Sequence, residues 1–212
     1  MNADVILILL VLTNLRLLGA SRLGASIRTV AVQGVLLGAL ALLAHHNHLT
    51  VAVLVVALGG MTLKGVVFPW LLFRALRAAE VEREVEPFVG AIPSLLAGVA
   101  ALGASLWLTA RLPLPEPSHS SLLVAVALFS MFVGLFLIIT RKKAISQVLG
   151  FLVMENGIYA FGVGLVVDSP LLVELGVLLD VFVAVFIMGI IIFHISRESD
   201  HIDTHKLSSL RD

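Results

Sequence analysis

The stretch "QVLGFLVMENGIYAFGVGLVV", Gln147 to Val167, is one long apolar run with a carboxylate and an amide, Glu155 and Asn156, side by side in its middle. About 20 mainly apolar residues suffice to cross the hydrocarbon core of a bilayer, so this run reads as a membrane span that contains a charge. The rest of the chain agrees with that reading. Of 212 residues, 59% are hydrophobic and 13% charged, and the mean hydropathy is +1.09. Soluble domains use roughly 45–50% apolar residues. The sequence is that of an integral membrane protein. Its formal net charge is zero and no basic stripe alternates with aromatics, which excludes a nucleic-acid footprint. It has no cysteine, and therefore no disulfide framework, thiol chemistry or cysteine metal site. The opening "MNADVILILLVLTNLRLLG" lacks a basic region before its apolar stretch and a small-residue cleavage site after it, so it is expected to remain as a membrane helix.

Apolar runs between charge and proline punctuation place seven transmembrane helices, at 3–20, 26–44, 49–73, 88–110, 120–140, 144–167 and 171–194. The fold class expected is all-α, integral to the membrane. Connections are short, and none could enclose a soluble core. Arginine and lysine, which cytoplasmic loops retain, test the partition independently. Arg16, Arg22 and Arg28 flank the first connection; Arg74, Arg77 and Arg83 occupy the third; Arg141, Lys142 and Lys143 the fifth; Arg197, Lys206 and Arg211 the tail. The second and sixth connections have none, and the fourth has only Arg111. This alternation predicts an external N-terminus and a cytoplasmic C-terminus in the cell's inner membrane.

One further basic residue, Lys64, belongs to no loop. An ionisable group at the bilayer centre is unfavourable by about 2.5–3.5 kcal/mol on the insertion scale, and three residues incur that penalty. Lys64 lies roughly 14 Å, Glu155 roughly 17 Å and Asp180 roughly 21 Å from the cytoplasmic ends of their helices at 1.5 Å rise per residue. All three fall at similar depth. Snorkelling of the Lys64 stem, and neutral acids that only hydrogen-bond helices together, are the competing readings. Small residues accompany each group: Ala57 and Gly60 share a face with Lys64, Gly162 with Glu155, and Gly176 and Ala184 with Asp180. Such faces pack against protein, so the charges are expected to point inward.

Tyr159, four residues after Glu155, shares its helix face and is a candidate to relay or stabilise a proton; ordinary packing is the alternative. Asn156, turned by about 100°, is expected to bridge to a neighbouring helix. The glycines at 150, 157, 162 and 164 permit close packing or a bend. His194, at the cytoplasmic end of the last span, suits a helix cap or a proton entrance. The "HHNH" cluster of His45, His46 and His48 lacks helical spacing and a carboxylate partner, and no metal site is expected there. Arg77 and Glu80, three apart in "FRALRAAEVEREVE", suit a helical extension on the cytoplasmic side or a partner-docking surface.

The segments "GFLVMENG" and "LLDVFVAVFIMGIIIFHI", preceded by "RKKAISQV", resemble the hydrogenase-4 component E family, small membrane subunits of group 4 nickel–iron hydrogenase and formate hydrogenlyase-like complexes. The last three spans are similar to the three-helix K subunit of respiratory complex I and its Mrp antiporter counterpart. "TLKGVVFP" in the first four spans is similar to the N-terminal extension of the longer family. The resemblance implies a four-helix extension at 1–118, a three-helix K-like unit at 119–195 and a cytoplasmic tail at 196–212. The K-subunit pattern has a glutamate where Leu152 stands here. Glu155 appears three residues later, on nearly the same face about 4.5 Å along the axis. Asp180 matches the glutamate of the third K-type helix.

Taken together, these observations predict a non-catalytic subunit of a redox-driven proton- or sodium-translocating complex. Glu155, Asp180, Lys64 and Tyr159 would form a mid-membrane path, with Asn156 and His194 in support. The resemblance implies antiporter-like and other membrane subunits as partners and a peripheral iron–sulfur, hydrogenase-like module on the cytoplasmic side. Iron–sulfur clusters, with nickel–iron as a further candidate, are expected on those partners and no cofactor in this chain. An assembly scaffold with neutral acids is the alternative. A stand-alone seven-helix pump or photoreceptor is disfavoured, because Lys64 is in the third span and the last has no lysine for a retinal Schiff base.

Overall fold

The structure, a computed structural model, describes residues 3–44, 51–78, 88–112, 121–165 and 181–189. Within them the regular elements are helices and no strand occurs. That is the solution available to a chain in lipid, where each backbone polar group has to be satisfied inside its own segment unless a sheet closes into a barrel. The elements are α1 (Ala3–Gly19), α2 (Leu23–Ala44), α3 (Val51–Thr62), a π-helical segment (Leu63–Val67), α4 (Phe68–Ala78), α5 (Ala91–Thr109), α6 (Ser121–Thr140) and α7 (Ala144–Leu165). Residues 181–189 are also helical.

Four of the described helices, Leu23–Ala44, Ala91–Thr109, Ser121–Thr140 and Ala144–Val163, are long and apolar enough to cross a membrane. The other expected spans fall short of that description for separate reasons. α1 has only 17 residues. The third span is divided by the π segment, and the last lies mostly outside the described residues. The π segment has a local cause. Pro69 has no N–H to donate to Gly65, and its ring would collide with that carbonyl in a regular α-helix. The helix widens instead, and Phe68 N–H bonds five residues back to Leu63 O.

Glycine sets the closest packing. Around Gly134 of α6 and Gly150 and Gly157 of α7 the two backbones nearly touch: a Cβ on Gly157 would lie 2.7 Å from Met131 N and 2.8 Å from Ala127 O. Of the α7 glycines, Gly150 and Gly157 sit at the close approach, within the helix that runs from Ala144 to Leu165. On α2, Gly34 and Gly38 form a small-xxx-small pair that receives Lys64 and Met61, where any Cβ would collide. α2 thereby packs against α3, the π segment, α4 and α7 and lies at the centre of the bundle, whereas α5 leaves Ile92, Leu96, Val99 and Trp107 exposed. One core cluster gathers Leu17, Leu18, Phe68, Leu72, Phe129 and Leu152 with their neighbours; a second gathers Ile6, Leu7, Leu10, Leu37 and Leu123.

Candidate functional site

The π segment faces α7, and the two meet at a charge. Lys64 Nζ lies 2.6 Å from Glu155 Oε1, with the two side chains 9% and 2% exposed. The ammonium also lies 5.4 Å from the centre of the Tyr159 ring, within the range where a cation is attracted to an aromatic face. Lys64 thus meets an acid inside its own chain and is buried, so it does not snorkel. The close approach of α2 explains how it gets there, because Gly34 leaves the space that the Lys64 stem occupies.

A second polar feature runs beside this pair. Asn156 Nδ2 donates to Gln33 Oε1 at 3.5 Å, the longest link. Gln33 Nε2 donates to Asn14 Oδ1 at 2.8 Å and to Thr13 Oγ1 at 3.1 Å. Asn14 Nδ2 donates to Ser130 Oγ at 2.7 Å. This chain of side chains crosses the bundle from α7 through α2 and α1 to α6, and Asn14 and Gln33 are 0% and 1% exposed. Asn156 does bridge to a neighbouring helix, namely α2. None of Asn14, Gln33 and Ser130 stood out in the sequence as a candidate site residue. The signal was present in "VQGVLLG": an intramembrane amide directly before a small-xxx-small pair marks a packed, hydrogen-bonded helix face.

The structure therefore brings Lys64, Glu155, Asn156 and Tyr159 together. Asp180 and His194 lie outside the described residues, as do His45, His46, His48 and Glu80. Among the described residues no group of three or more His, Asp or Glu side chains converges as metal ligands would. At the end of the bundle where the α1–α2 and α6–α7 connections lie, Arg141 Nη2 donates to Leu18 O at 2.9 Å and ties the two together. The pair sets a carboxylate against an ammonium inside an apolar bundle, the kind of opposite-charge pairing that a buried ionisable group requires.

Residues 121–212 match the family model of NADH-ubiquinone/plastoquinone oxidoreductase chain 4L. The chain is 35% identical to the uncharacterized protein Rv0085 of Mycobacterium tuberculosis over 204 residues, which are 96% of this chain and 93% of that protein. It is 31% identical to Hydrogenase-4 component E of Escherichia coli, and equally to that of Shigella flexneri, over 121 residues that make up 56% of each chain. No solved structure matches the chain.

Proposed function

We infer function from kinship and site together: the chain is a multi-pass membrane protein that belongs to the same family as the Mycobacterium tuberculosis protein Rv0085, and its C-terminal part is a chain 4L-like domain. We propose that it is a non-catalytic membrane subunit of a redox-driven, complex I-like or group 4 hydrogenase-like assembly, and that it contributes protonatable groups to an ion path. The observation that carries the proposal is the buried Lys64–Glu155 pair. A buried ion pair is often no more stabilising than well-packed apolar residues, so the pair needs another reason to be there; reversible protonation is one. In this reading Glu155 and Asp180 exchange a proton, while Lys64 and Tyr159 tune the affinity of Glu155 for it. Moving one charge through 100 mV requires about 2.3 kcal/mol, which the redox reaction on partner subunits has to supply. Those partners would hold the iron–sulfur clusters and any nickel–iron centre.

The same proposal divides the chain at 1–118, 119–195 and 196–212 and gives it seven spans in the inner membrane with the N-terminus outside. Reporter fusions after His48 and after Lys143 should then report external and cytoplasmic locations respectively. The same location at both positions would refute the seven-span arrangement. For the function, the test is the set of proteins that co-purify with the full chain in mild detergent. Antiporter-like membrane subunits together with an iron–sulfur module are the expected result; a chain that purifies alone from membranes in which it is abundant would contradict it.

A further inference from the structure

Both tryptophans of the chain precede an arginine by four residues, in "WLLFR" (Trp70 to Arg74) and "WLTAR" (Trp107 to Arg111). On a helix that spacing puts cation and ring on one face. The structure shows both pairs formed: the guanidinium carbon of Arg111 lies 4.7 Å from the centre of the Trp107 ring, and that of Arg74 lies 5.9 Å from Trp70. Both tryptophans are nonetheless exposed, at 59% and 54%. A third pair, Lys142 Nζ over the Phe88 ring at 4.9 Å, lies just before α5, and Phe88 is exposed too. α5 rises roughly 28 Å over its 19 residues, close to the thickness of a hydrocarbon core. Cation–aromatic pairs therefore stand at both ends of one span, where amphipathic rings settle at the two membrane–water boundaries.

Between those ends the hydroxyls of α5 turn inward. Ser94, Ser105 and Thr109 are 0%, 0% and 5% exposed, and each donates to the carbonyl four residues before it. Gly98 lies on the same inner side, packed on Leu18 of α1. The outer side presents Ile92, Leu96, Val99 and Trp107, and so offers apolar surface without a hydrogen-bonding group until the indole is reached. Arg111, beyond the indole, is exposed, and no carboxylate among the described residues pairs with it. An apolar face that ends in an exposed ring and a cation fits one kind of molecule in both shape and charge. That molecule is a phospholipid, its chains along the face and its phosphate at the guanidinium. We propose that this face of α5 is turned to lipid in the assembled protein, and that Trp107 and Arg111 hold an anionic phospholipid there. The guanidinium binds the phosphate and the indole lies against the glycerol region. This gives a function to Arg111, the single basic residue of the fourth connection, and leaves partner subunits to other faces. The inference needs only a chain that crosses the membrane and is independent of the ion path.

Trp70→Phe leaves Trp107 as the single tryptophan of the chain and so as a local reporter. The full chain carrying this substitution is placed in vesicles of equal parts phosphatidylglycerol and phosphatidylcholine, with bromine on the acyl chains of one lipid or the other. Bromine quenches a tryptophan it touches, so the two quenching levels report which lipid occupies the site. Phosphatidylglycerol should occupy it about fivefold more than phosphatidylcholine, the preference that one interfacial arginine supplies. Adding Arg111→Gln should bring the two lipids to near equality. Equal quenching by both lipids in the chain that retains Arg111 would overturn the proposal, as would a preference that survives Arg111→Gln. No quenching by either lipid would also overturn it, because Trp107 would then not face lipid. In native membranes, a photoreactive benzoylphenylalanine in place of Leu96 should yield phospholipid adducts. A protein adduct would overturn the proposal, showing that a helix of another subunit covers this face.

Discussion

Lys64→Met is expected to deplete the protein from the membrane, and Lys64→Met combined with Glu155→Gln to restore most of it. The Lys64 ammonium lies 2.6 Å from Glu155 Oε1. Removing it leaves a carboxylate that is 2% exposed inside an apolar bundle, and breaking a buried pair from one side destabilises by about 3–5 kcal/mol. A typical domain has only about 5–15 kcal/mol in total, so a loss of this size should show directly as reduced abundance and a lower unfolding temperature in detergent. Neutralising both partners removes the uncompensated charge while keeping similar volumes, and methionine fills irregular apolar space readily. Wild-type abundance of Lys64→Met would mean that the pair contributes little to stability. Glu155→Gln alone should be much milder, because the amide oxygen can still accept from Lys64.

Glutamine keeps an acceptor for Lys64 whereas methionine offers Glu155 no donor, so this asymmetry is expected of a cohesive pair and of a proton-binding pair alike. In a site where the acid alternates between charged and neutral forms, the lysine has to be tolerated in both, and the acid has to be tolerated without its charge. Lys64 is held at its stem by the cradle of Gly34 and by the π turn that Pro69 imposes, while its ammonium remains at the end of a flexible chain. Glu155 sits on the most closely packed helix pair, next to Met154, whose backbone lies against Gly134. Both members are thus borne by closely packed helix segments.

Much of this arrangement was legible in the sequence, and what was not has a physical reason. Helix positions followed from apolar length and punctuation, and α1, α2, α5, α6 and α7 end within three residues of the expected bounds. The charges at 64 and 155 stood out because a charge in an apolar run is expensive. That they meet each other, 91 positions apart, was not legible, since spacing along a chain gives no information on which helix faces which. The π segment escaped for a different reason: Gly65 and Pro69 signal a disturbed helix, but a kink, a break and a widened turn satisfy the same signal. Asn14, Gln33 and Ser130 escaped because single neutral polar residues are common in spans. Only their convergence on one line across four helices makes them a unit.

In the proposed mechanism Glu155 and Asp180 bind and release the transported proton. Glu155→Gln and Asp180→Asn preserve shape and hydrogen-bonding capacity while removing the titratable group, so each variant should assemble normally and lose only proton exchange. A scaffold, by contrast, is served as well by an amide as by a neutral acid. The decisive measurement is proton uptake per electron in membrane vesicles containing the assembled complex, with complex abundance confirmed for each variant. We expect proton uptake to fall sharply in both single variants, with electron transfer either falling in parallel or continuing uncoupled. Wild-type stoichiometry and rate in both single variants and in the double variant would contradict the account and leave Glu155 as structural support.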